Sequence, residues 1–128
     1  MKKNRDNATI LIVEDSITNV MLLKGILENE NYSNILTAHN GKESLKIIAS
    51  EEIDLILLDI MMPQNLSGID VLKKLKSEEK TASIPVVVIS AINSREQIKE
   101  CEALGATKYM EKPINIELLI TTINSFFE

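Results

Sequence analysis

Apolar and polar positions along this chain follow two periods. Ile10–Val13, Leu55–Leu58 and Val86–Ile89 are continuous apolar runs rich in Ile, Val and Leu. Runs this short suit strands covered on both faces. Two further strand-like stretches, Asn34–Ala38 and Thr107–Met110, are more polar and read as sheet edges. Between the strands the spacing becomes helical. It is carried by Ile17, Val20, Met21, Lys24 and Leu27 (Lys24 the polar exception), then by Leu45, Ile48 and Ala49, and by Ile69, Leu72 and Leu75. Ile98, Cys101 and Leu104 follow, and last Ile116, Leu119, Ile120, Ile123 and Phe126–Phe127. Asn40 with Glu43, and Ser94 with Gln97, have the spacing of capping boxes opening the second and fourth helices. Gly105 suits a helix C-cap. Strands that alternate with helices predict βαβ units and a parallel sheet. With the two polar strands at the edges and right-handed crossovers, the order is 2-1-3-4-5 with helices on both faces. The topological switch point of that order lies between the first and third strands, beside Asp15 and Asp59.

The strand ends carry the chemistry. The first run stops at Glu14-Asp15, the third strand at Asp59, the fourth at Ser90, and the fifth leads to Lys112-Pro113. In a parallel sheet these ends share one edge, where open α/β sheets bind ligands. Three converging carboxylates repel one another unless one takes a proton or a cation lies among them. Mg²⁺ suits such a set, because it prefers oxygen ligands and keeps positions for water or phosphate oxygens. A carboxylate can also act as a nucleophile and form an aspartyl-phosphate. That reaction asks for positioning and charge neutralisation, which Mg²⁺, Lys112 and Ser90 can supply. Each residue also has a plainer reading: Asp59 as a strand terminator, Glu14-Asp15 with Ser16 as helix caps, Ser90 as a turn residue, Lys112 as a solvated lysine. Their occurrence at four strand ends in one register carries the functional reading.

Composition narrows the alternatives. The chain has 128 residues, enough for one domain with its own core, and 45% of them are hydrophobic. A net charge of −5 and the absence of Trp argue against direct nucleic-acid binding. Cys101 is the single cysteine, so no internal disulfide can form, which suits a reducing compartment. The basic start, MKKNRDN, precedes an apolar run too short for a signal-peptide core or a membrane span. The expectation is a cytoplasmic protein with no membrane contact, a single domain over residues 1–128 with a polar N-terminal segment at 1–7.

The stretches ILIVEDS (Ile10 to Ser16), LILLDIMMP (Leu55 to Pro63), VVVISA (Val86 to Ala91) and YMEKP (Tyr109 to Pro113) resemble the receiver domain of two-component response regulators, over nearly the whole chain. The resemblance implies a flavodoxin-like, doubly wound α/β fold. It implies that Asp59 accepts a phosphoryl group from a histidine kinase or histidine phosphotransfer protein. It implies that Asp15, Asp59 and the Met61 backbone carbonyl ligate Mg²⁺, with Glu14 helping to hold the metal. Ser90 would hydrogen-bond the phosphoryl group, Lys112 would pair with it, and Tyr109 would swing inward as Ser90 moves. The Lys112–Pro113 bond is a candidate cis peptide. The face of the fourth helix, fifth strand and fifth helix would be the output surface for a downstream protein, in a monomer or a phosphorylation-dependent dimer. Such a domain is a phosphoacceptor rather than a classical enzyme, assisting its own phosphorylation and losing the group slowly. Met61 and Ile92 stand where polar residues could orient a hydrolytic water, and being apolar they would shield the phosphoryl group.

One departure stands beside the site. The family commonly has three residues between the proline and glycine after the phosphoacceptor; here Gln64, Asn65, Leu66 and Ser67 stand between Pro63 and Gly68. His39 reads as a loop residue, Cys101 as a small core hydrophobe, Met62 as a packing residue. A haloacid-dehalogenase-type aspartyl phosphatase is the alternative enzyme reading, but the second aspartate such enzymes carry two residues on is Met61 here. A nucleotide-binding domain lacks its glycine-rich motifs. A receiver that no longer takes phosphate is disfavoured because every key residue is present. The chain reads as a stand-alone regulator, or as the receiver excised from a larger regulator or hybrid kinase.

Overall fold

A computed structural model describes residues 2–61, 67–92 and 94–128. Met62, Pro63 and the first three of the four residues between Pro63 and Gly68, Gln64 to Leu66, lie outside the described residues. Five strands alternate with five helices: β1 (Thr9–Val13), α1 (Ile17–Asn29), β2 (Asn34–Ala38), α2 (Gly41–Ser50), β3 (Leu55–Asp59), α3 (Gly68–Ser77), β4 (Val86–Ser90), α4 (Arg95–Ala103), β5 (Lys108–Glu111) and α5 (Ile116–Asn124). All four strand pairings are parallel, in the order β2-β1-β3-β4-β5. β2 and β5 are the edges, as their polar residues predict. β5 begins one residue later than its apolar pattern suggests, at Lys108.

The pleat divides the core in two. Ile10, Ile12, Leu55, Leu57, Val87 and Ile89 pack on one face of the sheet with Leu23 and Leu27 of α1 and Leu119 and Ile123 of α5. Leu11, Val13, Ile56, Leu58, Val86 and Val88 pack on the other with Ile48 of α2, Leu72 and Leu75 of α3 and Cys101 of α4. Successive residues of a strand point to opposite faces, which is why the central runs are apolar at every position.

The helix ends follow their local chemistry. α4 closes with Gly105 at φ 104°, its N–H donating to Glu102 and that of Ala106 to Cys101, a pattern that needs the left-handed region. Asn31, at φ 73°, does the same for α1. The Ser67–Asp70 pair at α3 is a complete capping box, both arms made. Asn40 and Ser94 accept from the backbone N–H groups of Glu43 and Gln97 as predicted. The return arms differ: Glu43 lies 3.4 Å from the exposed His39 ring, and Gln97 turns elsewhere. α1 departs further. It buries Val20, Leu23 and Leu27, while Ile17 and Met21, expected on the buried stripe, are 67% and 68% exposed.

The polar N-terminal segment is tied to the other end of the chain. Glu128 N–H donates to Lys3 at 2.9 Å and Arg5 N–H to Glu128 at 3.3 Å. Below them Tyr32 donates to Asn124 at 2.6 Å. No helix among the described residues is long and apolar enough to cross a membrane.

Candidate functional site at the strand ends

β1, β3 and β5 deliver Glu14, Asp59 and Lys112 to one point. Glu14 follows directly on β1, and its N–H is held by the Ala38 carbonyl at 3.0 Å. Asp59 closes β3, one residue past the Val13–Leu58 pair, so the two acids end adjacent strands side by side. They are 1% and 4% exposed. The Lys112 ammonium lies 2.8 Å from Glu14 Oε1 and 3.3 Å from Asp59 Oδ2. The Lys112 N–H donates to the Ser90 carbonyl at 2.8 Å, which fixes the lysine's backbone against the end of β4. The Lys112–Pro113 peptide is cis, as the resemblance implied.

The remaining lone pairs of the buried acids are partly used. The Met61 N–H donates to Asp59 Oδ1 at 2.9 Å, and the Ser16 N–H to Glu14 Oε2 at 3.3 Å. Asp15 lies outward and exposed. One carboxylate oxygen each from Glu14, Asp15 and Asp59 falls within 4.8 Å of the others. This donor set fits a hard divalent cation: all ligand atoms are oxygen, two come from buried acids, and one side is open.

Two buried carboxylates share one lysine here, and their acidities separate. Burial favours the neutral form of Glu14, but the adjoining Asp59 carboxyl and the Lys112 ammonium override it and bring its pKa down to about 2. For Asp59, burial and the Glu14 carboxylate push the pKa up to about 7, against the pull of the Met61 N–H and Lys112. Asp15 is raised, by partial desolvation and by Glu14. Burial works against the charge on Lys112, yet Glu14 and Asp59 outweigh it and raise its pKa. Gathering three carboxylates around one lysine thus raises the proton affinity of two of them, the balance that a divalent cation among their oxygens would relieve.

Ser90 and Tyr109 occupy the other face of the sheet. Ser90 lies two residues past Val88 and so shares its face, and Tyr109 packs beside the core cluster that holds Val88 and Cys101. Ser90 is fully buried, and its Oγ accepts from the Ile92 N–H at 3.1 Å. The Tyr109 hydroxyl donates to the Ile92 carbonyl at 2.6 Å and accepts from Gln97 Nε2 at 3.0 Å. Ile92 therefore links Ser90 and Tyr109, the two residues for which the resemblance implies coupled movement. Met61 stands at the mouth of the site, 53% exposed, and Ile92 is half-buried.

One residue that shapes the site gave no warning in its chemistry. Gly68, first in α3, lies against the end of β3. A Cβ there would fall 2.3 Å from Ile60 Cα and 2.7 Å from the Asp59 carbonyl oxygen. Only glycine lets α3 start this close to the residue that carries the central carboxylate. His39 and Cys101 stay outside the site: His39 is exposed beside Glu43, and Cys101 is buried in the core, where burial raises its thiol pKa.

The sequence signature described as the response regulator receiver domain matches residues 10–124, and so takes in all five strands and helices. The chain belongs to the response regulator receiver family. The polar-differentiation response regulator DivK of Brucella anthropi is 34% identical over 118 residues, which cover 92% of this chain and 94% of DivK. A probable cyclic di-GMP phosphodiesterase of Vibrio cholerae is 37% identical over 120 residues, but these make up only 26% of that protein. Among solved structures, the chemotaxis protein CheY4 of Vibrio cholerae superposes with a TM-score of 0.85 at 28% identity, over 94% of this receiver and 98% of CheY4. The function of this receiver is phosphorylation-dependent signalling, a regulatory role rather than that of a classical enzyme.

Proposed function

We propose that Asp59 is the phosphoacceptor and that the partner delivering the group is a phosphohistidine on a histidine kinase or phosphotransfer protein. The observation that carries this reading is the buried Asp59 carboxylate, with Lys112 at 3.3 Å, the Met61 N–H at 2.9 Å and two more acids gathered about it. An Asp59 oxygen attacks phosphorus in line with the P–N bond. That bond breaks, its electron pair passes to the imidazole nitrogen, and an acyl phosphate forms on Asp59. Lys112 holds charge against the phosphoryl oxygens, and the Ser90 hydroxyl turns to hydrogen-bond one of them. Glu14, Asp15, Asp59 and the Met61 carbonyl are the residues we assign to Mg²⁺. When bound, the ion keeps Asp59 ionised and neutralises charge on the transferring group.

Output is assigned to the face of α4, β5 and α5, because the Ser90–Ile92–Tyr109 contacts lead from the site to that face. Residues 1–128 act in this reading as a single receiver domain, monomeric or dimerising on phosphorylation, and located in the cytoplasm, where the buried free thiol of Cys101 stays reduced. The receiver assists its own phosphorylation and loses the group slowly, with Met61 and Ile92 shielding it. Incubation with a set of autophosphorylated histidine kinases tests the donor class. Label should pass to the wild-type receiver from at least one kinase and not to Asp59→Asn. Transfer to both proteins alike would contradict the assignment.

A further inference from the structure

We propose that Gln97 is a positioning residue that couples Tyr109 to the first turn of α4, so that a change at the phosphoacceptor site reaches the outer face of that helix. The inference rests on the reading of Asp59 and Ser90 above and adds the next member of the chain.

Gln97 is the third residue of α4, and its backbone N–H is already capped by Ser94 Oγ at 3.2 Å. In a capping box its side chain would fold back to the Ser94 N–H. It does not. Its Nε2 lies 3.0 Å from the Tyr109 hydroxyl, reaching across from α4 to β5. The phenol has one proton, and the 2.6 Å contact to the Ile92 carbonyl uses it. The hydroxyl can then only accept from Gln97, which fixes the amide with its nitrogen toward the ring. On the other side of the same residue, the Ile92 N–H is held by Ser90 Oγ at 3.1 Å. The result is one unbroken chain: Ser90 Oγ, the two backbone groups of Ile92, Tyr109 Oη, Gln97 Nε2. The Ile92 N–H and carbonyl belong to adjoining peptide groups, so the link through Ile92 is mechanical: a shift of its backbone moves the partners on both sides. When the Ser90 hydroxyl is engaged by a phosphoryl group, its hold on Ile92 changes, and Tyr109 must follow the carbonyl it donates to. Without Gln97 that movement ends at Tyr109. With it, α4 is drawn along, and the exposed Arg95, Glu96, Lys99 and Glu100 change their placement relative to β5.

The cap and the link use different atoms of Gln97, so the side chain can be changed while the cap stays. Gln97→Met keeps length and loses both polar atoms. Gln97→Lys keeps a donor at similar reach. Backbone and tyrosine-ring NMR signals of the three proteins are followed before and after saturation with Mg²⁺ and beryllofluoride. In the wild type the signals of Asp59, Tyr109 and Arg95–Ala103 should all shift. In Gln97→Met, Asp59 and Tyr109 should still shift, while the α4 shifts shrink several-fold. Gln97→Lys should restore them. Before ligand is added, Gln97→Met should already shift the Tyr109 ring signals, because the hydroxyl loses the donor it accepts from. Full α4 shifts in Gln97→Met overturn the coupling and leave Asp59 as phosphoacceptor untouched. A wild type that does not respond to beryllofluoride at Asp59 overturns the phosphoacceptor reading and the coupling with it.

Discussion

Glu14 and Asp59 stand side by side at the ends of β1 and β3, both buried, with their acidities driven apart: Glu14 down to about 2, Asp59 up to about 7. Burial pushes both up, and the contact between the two carboxyls lowers Glu14, with Lys112 in support, and raises Asp59. Lys112 is 2.8 Å from Glu14 and 3.3 Å from Asp59, which favours the negative charge on Glu14 and the proton on Asp59. The carboxylate to which we assign the attack on phosphorus is thus one whose ionisation burial and Glu14 oppose.

The separation predicts an unusual pH profile for the metal-free protein. The folded pKa of Asp59 lies above its ordinary value, so its contribution to stability is complete below the unfolded pKa near 3.8 and is lost as pH rises through about 7. The folded pKa of Glu14 lies below its ordinary 4.5, so its contribution is complete above that value and is lost as pH falls toward about 2. Together these two groups place their greatest joint contribution near pH 4–5. Urea unfolding in EDTA across the pH range checks this. Well above pH 7, Asp59→Asn should stabilise the metal-free protein by about 1–3 kcal/mol, because it removes a buried charge that is forced to ionise. Mg²⁺ should stabilise the wild type there much more than it stabilises the variant.

Metal binding should need the three acids together. Asp15→Ala should weaken Mg²⁺ by about tenfold or more, and the wild-type affinity should fall as pH drops through the range in which Asp59 takes up its proton. Titration of backbone NMR signals around Asp59 gives both results. Equal affinity in Asp15→Ala would remove that residue from the ligand set.

Gly68→Ala should damage the site from a distance in sequence. The added methyl cannot coexist with Ile60 Cα at 2.3 Å, so either α3 backs away or the end of β3 moves. A loss of about 2–4 kcal/mol in stability is expected, with slower phosphorylation of Asp59 in whatever fraction stays folded. Denaturation and initial labelling rates measure the two effects separately.

Much of this was legible in the sequence. The central strands announced themselves because strands covered on both faces must be apolar throughout, and the strand ends then located Glu14, Asp59, Ser90 and Lys112. What stayed hidden had physical reasons. α1 carries two overlapping helical stripes, and Ile17 with Met21 fits the spacing as well as Leu23 does; only the packing of Leu23 and Leu27 against the sheet chooses between them. The Ser67–Asp70 capping box has a spacing that the sequence shows, while its two arms need the structure. Gly68 has no side chain to signal a role, and its need comes from a close approach that only the fold creates. Gln97 matched a local cap so well that its partner on β5 could not be inferred.

The lifetime of the phosphorylated form should depend on two apolar side chains. Polar groups at Met61 and Ile92 could orient water on the acyl phosphate, and the native residues cannot. Met61→Asn combined with Ile92→Glu should hydrolyse several-fold faster in Mg²⁺ without any phosphatase. Unchanged decay would rule out shielding by these two side chains.

The central claim is tested most directly by intact-mass measurement after incubation with acetyl phosphate and Mg²⁺. The wild type should gain the mass of one phosphoryl group with Mg²⁺ and none when Mg²⁺ is withheld, and Asp59→Asn should gain none in either case. An Asp59→Asn protein labelled to the same extent as the wild type would contradict the account.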